Sequence, residues 1–449
     1  MFRKSPSGSR SNAARLAAAK ARQKPAGKKL SALEVAGFYW NWFTKVVLNV
    51  LGVLTFSFGL YIVWQSVTQK VISLAPIAVP KLLADNGYTS DVAAQRLQTT
   101  MYDIVEVGHL IKAGPNIAQQ AELPSIVVPS TGWSIDAIAS YIRSFFRIES
   151  RWNVSGDITH MDQKLWLHLR MNGRDLYTTA TGVDPQHPND LFGPAAQKVI
   201  ENTDPYILAA SISRIDENRS VEIAERIISD RPATDPSVAW AHTLIGNTLY
   251  EQGKKDNAIA EYRESIRLQP RFGLPHTSLG IALNAEGKSE EAITECEKGI
   301  DLDPKSPSAH AGFCYVLGAM HKSEAAKAEC DTAINEYHMS IETDPYEPTP
   351  HVKLALLLRR LGRTDQAIKE FRTALDLAPR DVLTHIDLGL TMLQQGKIED
   401  AVVEFQKAIE INPRLPTTHR SLSKALRQQG NEESAKAELE KALALEGSH

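Results

Sequence analysis

Residues 380–413 read RDVLTHIDLGLTMLQQGKIEDAVVEFQKAIEINP. Ala401, Phe405 and Ala408 lie twelve, eight and five positions before Pro413, and Gly389 sits in the helical run that precedes them. Small residues let two antiparallel helices approach closely, a bulky residue plugs the gap between them, and a proline stops the second helix. The same spelling recurs. Pro270, Pro304, Pro345, Pro379 and Pro413 are separated by 34, 41, 34 and 34 residues. A fixed period of that size marks stacked helix pairs, none of which can bury its own apolar face alone.

The other units repeat the offsets. Ala258, Ala292, Ala333 and Ala367 take the first small position, with Ala435 in a last unit that lacks its proline. Ser265, Gly299, Ser340, Ala374 and Ala442 take the second. The bulky position holds Tyr262, Cys296, Tyr337, Phe371 and Leu439, and Gly246 and Gly280 match Gly389, with Ala355 and Ser423 as stand-ins. This pattern resembles the tetratricopeptide repeat, in six units over residues 239–447. The resemblance implies an α-helical solenoid that binds other proteins and carries no chemistry. The 41-residue interval exceeds the period by seven, about two helical turns. Residues 307–347 are therefore expected to be one repeat with lengthened helices. Residues 203–238 are expected to form a degenerate unit capping the stack.

The amino-terminal end has another composition. Arg3, Lys4, Arg10, Arg15, Lys20, Arg22, Lys24, Lys28 and Lys29 precede any acid, whereas the whole chain of 449 residues carries a net charge of −3. Rich in Ser, Gly, Ala and Lys, residues 1–43 are expected to be a disordered basic tail. Val46 to Trp64, VVLNVLGVLTFSFGLYIVW, contains no charge and is flanked by Tyr39, Trp40, Trp42 and Phe43. As a helix this run spans roughly 28 Å, close to the thickness of a hydrocarbon core. Residues 44–66 are thus expected to be an uncleaved transmembrane helix with interfacial aromatics. Positive charge stays cytoplasmic. The expectation is a single-pass inner-membrane protein with a cytoplasmic N terminus and periplasmic C-terminal domains. The tail lacks aromatic interleaving, so nucleic acid is not an expected partner.

Residues 70–202 read as a small α/β domain with a mixed sheet. Val71–Val79 and Ser125–Val128 suit strands, Ser90–Val107 and Ser134–Phe146 have helical spacing, and Arg151–Ile158 with Lys164–Met171 alternate as a hairpin does. A last helix is expected from Pro194 to Ile200. The strings VISLAPIAVP, WNVSGDI and KLWLHLRM are similar to the amino-terminal domain of TolB and to FlgO-like domains, which implies contacts with envelope proteins and no catalytic role.

No motif makes a case for an enzyme, and no cofactor is expected. His242, His276, His310, His351, His385 and His419 fill the fourth position of all six repeats. Repeats stacked two helices apart place such rings roughly 10 Å from each other, too far to share a metal, so they are expected to be packing residues and no metal site is assigned. Cys296, Cys314 and Cys330 are expected to be buried free thiols, with Cys296–Cys314 the favoured pair if a bridge forms. Ser421 and Lys424 spell S-x-x-K without its companion motifs. Asp157, His160 and Asp162 cluster at the expected hairpin turn and read as solvated.

In the tetratricopeptide family, positions five, nine and twelve of the first helix line the inner groove. The resemblance carries these onto Thr243, Asn247 and Tyr250, then Thr277, Ile281 and Asn284. Later units give Val352, Leu356 and Arg359, Ile386, Leu390 and Leu393, and finally Arg420, Lys424 and Arg427. Such a groove is apolar in the middle and basic towards its end, with Arg360 adding charge, and suits an extended or helical partner segment bearing acidic residues. The functional expectation is a membrane-anchored scaffold for protein–protein interaction in a bacterial envelope. The alternative is a sensory protein whose α/β domain binds a small ligand and relays its state through the repeats.

Overall fold

The computed structural model describes residues 46, 47, 50, 53, 57–108, 116–119, 135–146 and 150–446. The expected basic tail and strand 125–128 lie outside them. So do nine of the 23 residues of the expected span 44–66; its described part includes a helix over 57–68. Among the described residues no helix is long and apolar enough to cross a membrane. The chain divides into two units, one holding helices 57–68 and Ile135–Phe146, the other holding the sheet and everything after residue 149.

The sheet has five strands: β1 (Val71–Ala78), β2 (Asn116–Gln119), β3 (Arg151–Met161), β4 (Lys164–Met171) and β5 (Arg174–Thr178). Their order is β2-β1-β3-β4-β5, with β1 parallel to both neighbours and β3, β4 and β5 antiparallel. Strand β5 was not anticipated. It exists because Asn172 and Gly173 take positive φ, 51° and 78°, and close a tight hairpin after β4. The strand at 116–119 was not anticipated either. Alternation in β3 and β4 puts Trp152, Val154, Ile158, Leu165, Leu167 and Leu169 into the core, where they join helices Ser90–Gly108 and Phe192–Thr203.

That core does not stop at the edge of the domain. Helix Pro205–Ile212, PYILAASI, buries every residue from Tyr206 to Ile212. A helix apolar all round must be enclosed on all sides. It is enclosed by the helices of the sheet domain and by the start of the solenoid, and one apolar cluster runs from Ile72 to Ile245. Asp204 at its entrance is fully buried and accepts a 3.1 Å bond from Lys70, the residue before β1. Helix Glu217–Asp230 completes this first pair, capped by the Asp216 carboxylate.

Six helix pairs follow, from Pro236–Glu251 with Lys255–Leu268 to Pro416–Gln428 with Glu432–Glu446. Where small faces bulky, the approach is close: a Cβ on Gly246 would lie 2.6 Å from the Tyr262 ring, and one on Gly389 2.7 Å from Phe405. First helices end in a left-handed residue, Gly253, Gly287, Gly362, Gly396 or Gly430, and in the third repeat His321 holds that conformation at φ 58°. The seven extra residues of that repeat all enter its second helix, Ser323–Thr343, of 21 residues, while its first helix keeps 13. The expectation that both helices lengthen is corrected. Ala326 and Cys330 hold the small and bulky positions, and two turns later Ala333 and Tyr337 repeat them on the same face, all four buried.

Candidate functional site

The first helices line the inside of the coil, and there the chain meets itself. Arg214, in the turn after the buried helix 205–212, reaches Asp387 in the first helix of the fifth repeat at 3.1 Å. Arg359 of the fourth repeat holds the other Asp387 oxygen, also at 3.1 Å. The Asp387 side chain is 2 % exposed, so neither bond is a wet surface pair. Lys353 lies in the same cluster. Burial, then the nearby Arg214 and Arg360 charges, hold its ammonium down to about 8 despite Asp387 and Glu251. Burial raises the Glu251 carboxyl, partly countered by Arg214. Arg360 stands 5.4 Å over the Tyr315 ring, and burial, with Tyr315 nearby, raises the Tyr250 hydroxyl. Asp381 lies within electrostatic reach of Arg214, and Glu217 of Glu251, so four cations and four carboxylates meet here; among the described residues Lys353 and Arg360 form no salt bridge.

The groove residues expected from sequence divide accordingly. Tyr250 and Arg359 sit within this cluster. Val352, Leu356, Leu390 and Leu393 are half-buried along the same helices, and Ile386 is buried. Ile281 packs into the core of the early repeats, and Asn247 accepts a hydrogen bond from the Tyr262 hydroxyl. Asn284 lines a shallow depression with Ile293, Met320 and Lys322. Thr243 is fully buried, and its hydroxyl is paired at 2.9 Å with that of Ser265 on the second helix. Thr277 packs onto Gly299 and Gly312. Both threonines are buried between helices. At the far end Arg420 bonds Glu446 at 2.6 Å and Arg427 approaches Glu432 at 3.5 Å, which leaves Lys424 exposed. The charge inside the coil is thus richer at the middle than sequence suggested, and partly neutralised at the end.

The histidine row has a purpose that sequence reading missed. Each Nδ1 faces the glutamate nineteen residues later: His242–Glu261, His276–Glu295, His310–Glu329, His351–Glu370, His385–Glu404 and His419–Glu438, all at 2.6–2.7 Å. In three repeats Nε2 also meets a carbonyl, that of Pro304, Pro379 or Pro413. Burial would raise Glu295, Glu404 and Glu438, but a lysine three residues on and the histidine hold all three below the usual carboxylate range. The seam ties first helix to second helix, and in the repeats of His310, His385 and His419 it also takes in the preceding loop. It recurs in every unit, and the six-fold glutamate was the signal that would have revealed it.

Cysteine pairing departs from expectation. Cys314 and Cys330 form a disulfide, with Cα atoms 5.1 Å apart, and Cys296 is free and buried. These positions are sixteen residues apart, as are Gly246 and Tyr262 or Gly389 and Phe405. The bond replaces the small-against-bulky contact of the other repeats. Cys296 fills the bulky place opposite Gly280, which has no thiol to offer, and so cannot bridge within its own pair. Burial pushes that thiol up to about 12, which leaves it unreactive. Ser421 returns its hydroxyl to the Thr417 carbonyl within its helix, and Asp157 is bonded to Arg170 across the β3–β4 hairpin.

Comparison with known proteins agrees with the repeat. Three profiles described as tetratricopeptide repeat match residues 243–307, 346–414 and 421–449. Among solved structures the chain is similar to TTC0263, a thermophilic tetratricopeptide protein of Thermus thermophilus, at 18% identity and a TM-score of 0.35, over 42% of this chain and 99% of that one. It is also similar to the Cut9–Hcn1 assembly of the APC/C, at 16% identity and 0.36, over 57% of this chain and 50% of that one. A third similarity is to MamA MSR-1, at 20% identity and 0.27, over 41% and 98%. No curated protein matches the chain. The C-terminal half is a tetratricopeptide solenoid joined to a small mixed-sheet domain, a class of module that points to protein–protein interaction and to no enzymatic family.

Proposed function

We propose that this protein is a membrane-anchored scaffold of a bacterial envelope whose groove holds partner segments bearing acidic residues. The observation that carries the reading is the cation cluster at the middle of the inner face: Asp387 takes up Arg214 and Arg359, while Lys353 and Arg360, beside Tyr250 and Tyr315, form no salt bridge among the described residues. Cations in a partly dewatered channel attract carboxylates strongly and reject bases. The Cys314–Cys330 bond supports an oxidising compartment, and the uncharged Val46–Trp64 run supports an anchor. The resemblance of the sheet domain to envelope modules points the same way.

The test is cross-linking in membranes, with a photoreactive residue replacing Tyr250 in the full chain. It should capture specific proteins, and Lys353→Glu combined with Arg360→Glu should release them while helicity stays unchanged. Capture that survives the double reversal would remove the groove from the account. Because Lys353 sits near 8, affinity for an acidic segment should fall as pH rises past that value. An alkaline phosphatase fusion placed after Trp64 should be active; an inactive fusion beside an active cytoplasmic reporter would reverse the topology.

A further inference from the structure

Helix Ile135–Phe146 turns its aromatic residues outward. Tyr141 is 69 %, Phe145 72 % and Phe146 66 % exposed, the last two stacked edge to face at 5.1 Å. Its other side is closed: Ala139 is fully buried and Arg143 is 8 % exposed. Arg143 donates from Nη1 to the Ser66 carbonyl at 2.7 Å. That carbonyl belongs to the last turn of helix 57–68, where unpaired carbonyls and the helix dipole both favour a cation. Helix 57–68 in turn exposes Phe58, Leu60, Tyr61 and Trp64, and these close the uncharged segment that begins at Val46. Two outward-facing aromatic helices are therefore pinned together where the apolar segment ends. Exposed aromatic patches of this kind require a cover, and Trp and Tyr concentrate at the boundary between lipid and water.

We propose that helix 135–146 lies on the surface of the bilayer entered by residues 46–64, with Tyr141, Phe145 and Phe146 among the headgroups. The occupant is lipid because the patch is continuous, through the Arg143–Ser66 hydrogen bond to its final turn, with a segment whose described apolar side chains are themselves exposed. An amphipathic helix held flat in this way adds apolar contact to the anchor and fixes the direction in which the chain leaves the membrane. The inference rests on the anchor reading above.

The full chain in vesicles of mixed zwitterionic and anionic lipid provides the test. Single nitroxide labels are placed by Phe145→Cys, Tyr141→Cys, Phe58→Cys and Lys436→Cys. The native thiols stay silent, since Cys314 and Cys330 are bridged and Cys296 is buried. Labels at 141, 145 and 58 should collide several-fold more with dissolved oxygen than with a water-soluble nickel chelate, and the label at 436 should show the reverse. A lipid-facing 58 with water-facing 141 and 145 overturns this inference and leaves the anchor standing. Water-facing labels at all positions, in chains that fail to float with the vesicles, overturn both. Labels at 141 and 145 shielded from both reagents and cross-linked to another polypeptide would show a protein cover and also overturn it.

Discussion

Helix Pro205–Ile212 and helix Ile135–Phe146 are both short and apolar, yet they meet opposite fates. The first is sealed by the sheet domain and the solenoid, with Tyr206 to Ile212 all buried. The second hides Ala139 and Arg143 and leaves three aromatic rings uncovered. The difference teaches that an apolar helix is not by itself a core element. What decides is whether the chain supplies a second layer, and for 205–212 it supplies two.

The sharpest test of the contrast is truncation on each side. Tyr206→Ala removes a fully buried ring from the shared core and should cost about 3–5 kcal/mol. Hydrogen exchange should show the sheet and the first repeats loosening together. Phe145→Ala in the full chain should shift thermal stability by no more than ~0.5 kcal/mol; a large loss there would erase the distinction. Reducing the Cys314–Cys330 bond asks how much a covalent closure adds where other repeats use packing alone. Opening a loop of that size should lower stability by about 3 kcal/mol, read as a lower denaturation midpoint.

Polar closure comes next in size. Glu404→Gln keeps the shape but loses charge-assisted bonds from His385 and Lys407, and should destabilise by about 1–3 kcal/mol. The sign with pH follows from the depressed carboxyls. Glu295, Glu404 and Glu438 have folded values below their unfolded 4.5, so their contribution is complete above that pH and lost as pH falls through the folded values. Acid titration followed by circular dichroism should show repeats unwinding below about pH 4, with less dependence in Glu404→Gln. The smallest effect is a gain. His321→Gly relieves the one non-glycine among the described left-handed helix ends and should stabilise by about 0.5–1 kcal/mol.

How much of this was legible depended on distance along the chain. The helix pairs were written in prolines and small residues at fixed short offsets, because packing within a pair is local. The histidine–glutamate seam was also regular, at nineteen residues, but it joins two helices and leaves no mark in the periodicity of either. Strand β5 was overlooked for its length of five residues, although Asn172–Gly173 spelled its turn. Cysteine pairing followed a rule visible only once Cys314 and Cys330 are seen in the places of Gly389 and Phe405. The groove was the least legible part. A position rule borrowed from other repeats names the side chains that point inward, but Arg214 meets Asp387 from 173 residues away, and that encounter depends on how tightly the whole coil is wound.

That one encounter has a mechanical meaning. A coil of stacked helices stretches and recoils like a spring, and Arg214 and Asp387 act as a pin across its turns. Withdrawal of that pin, by force or by a competing carboxylate, would let the spring lengthen.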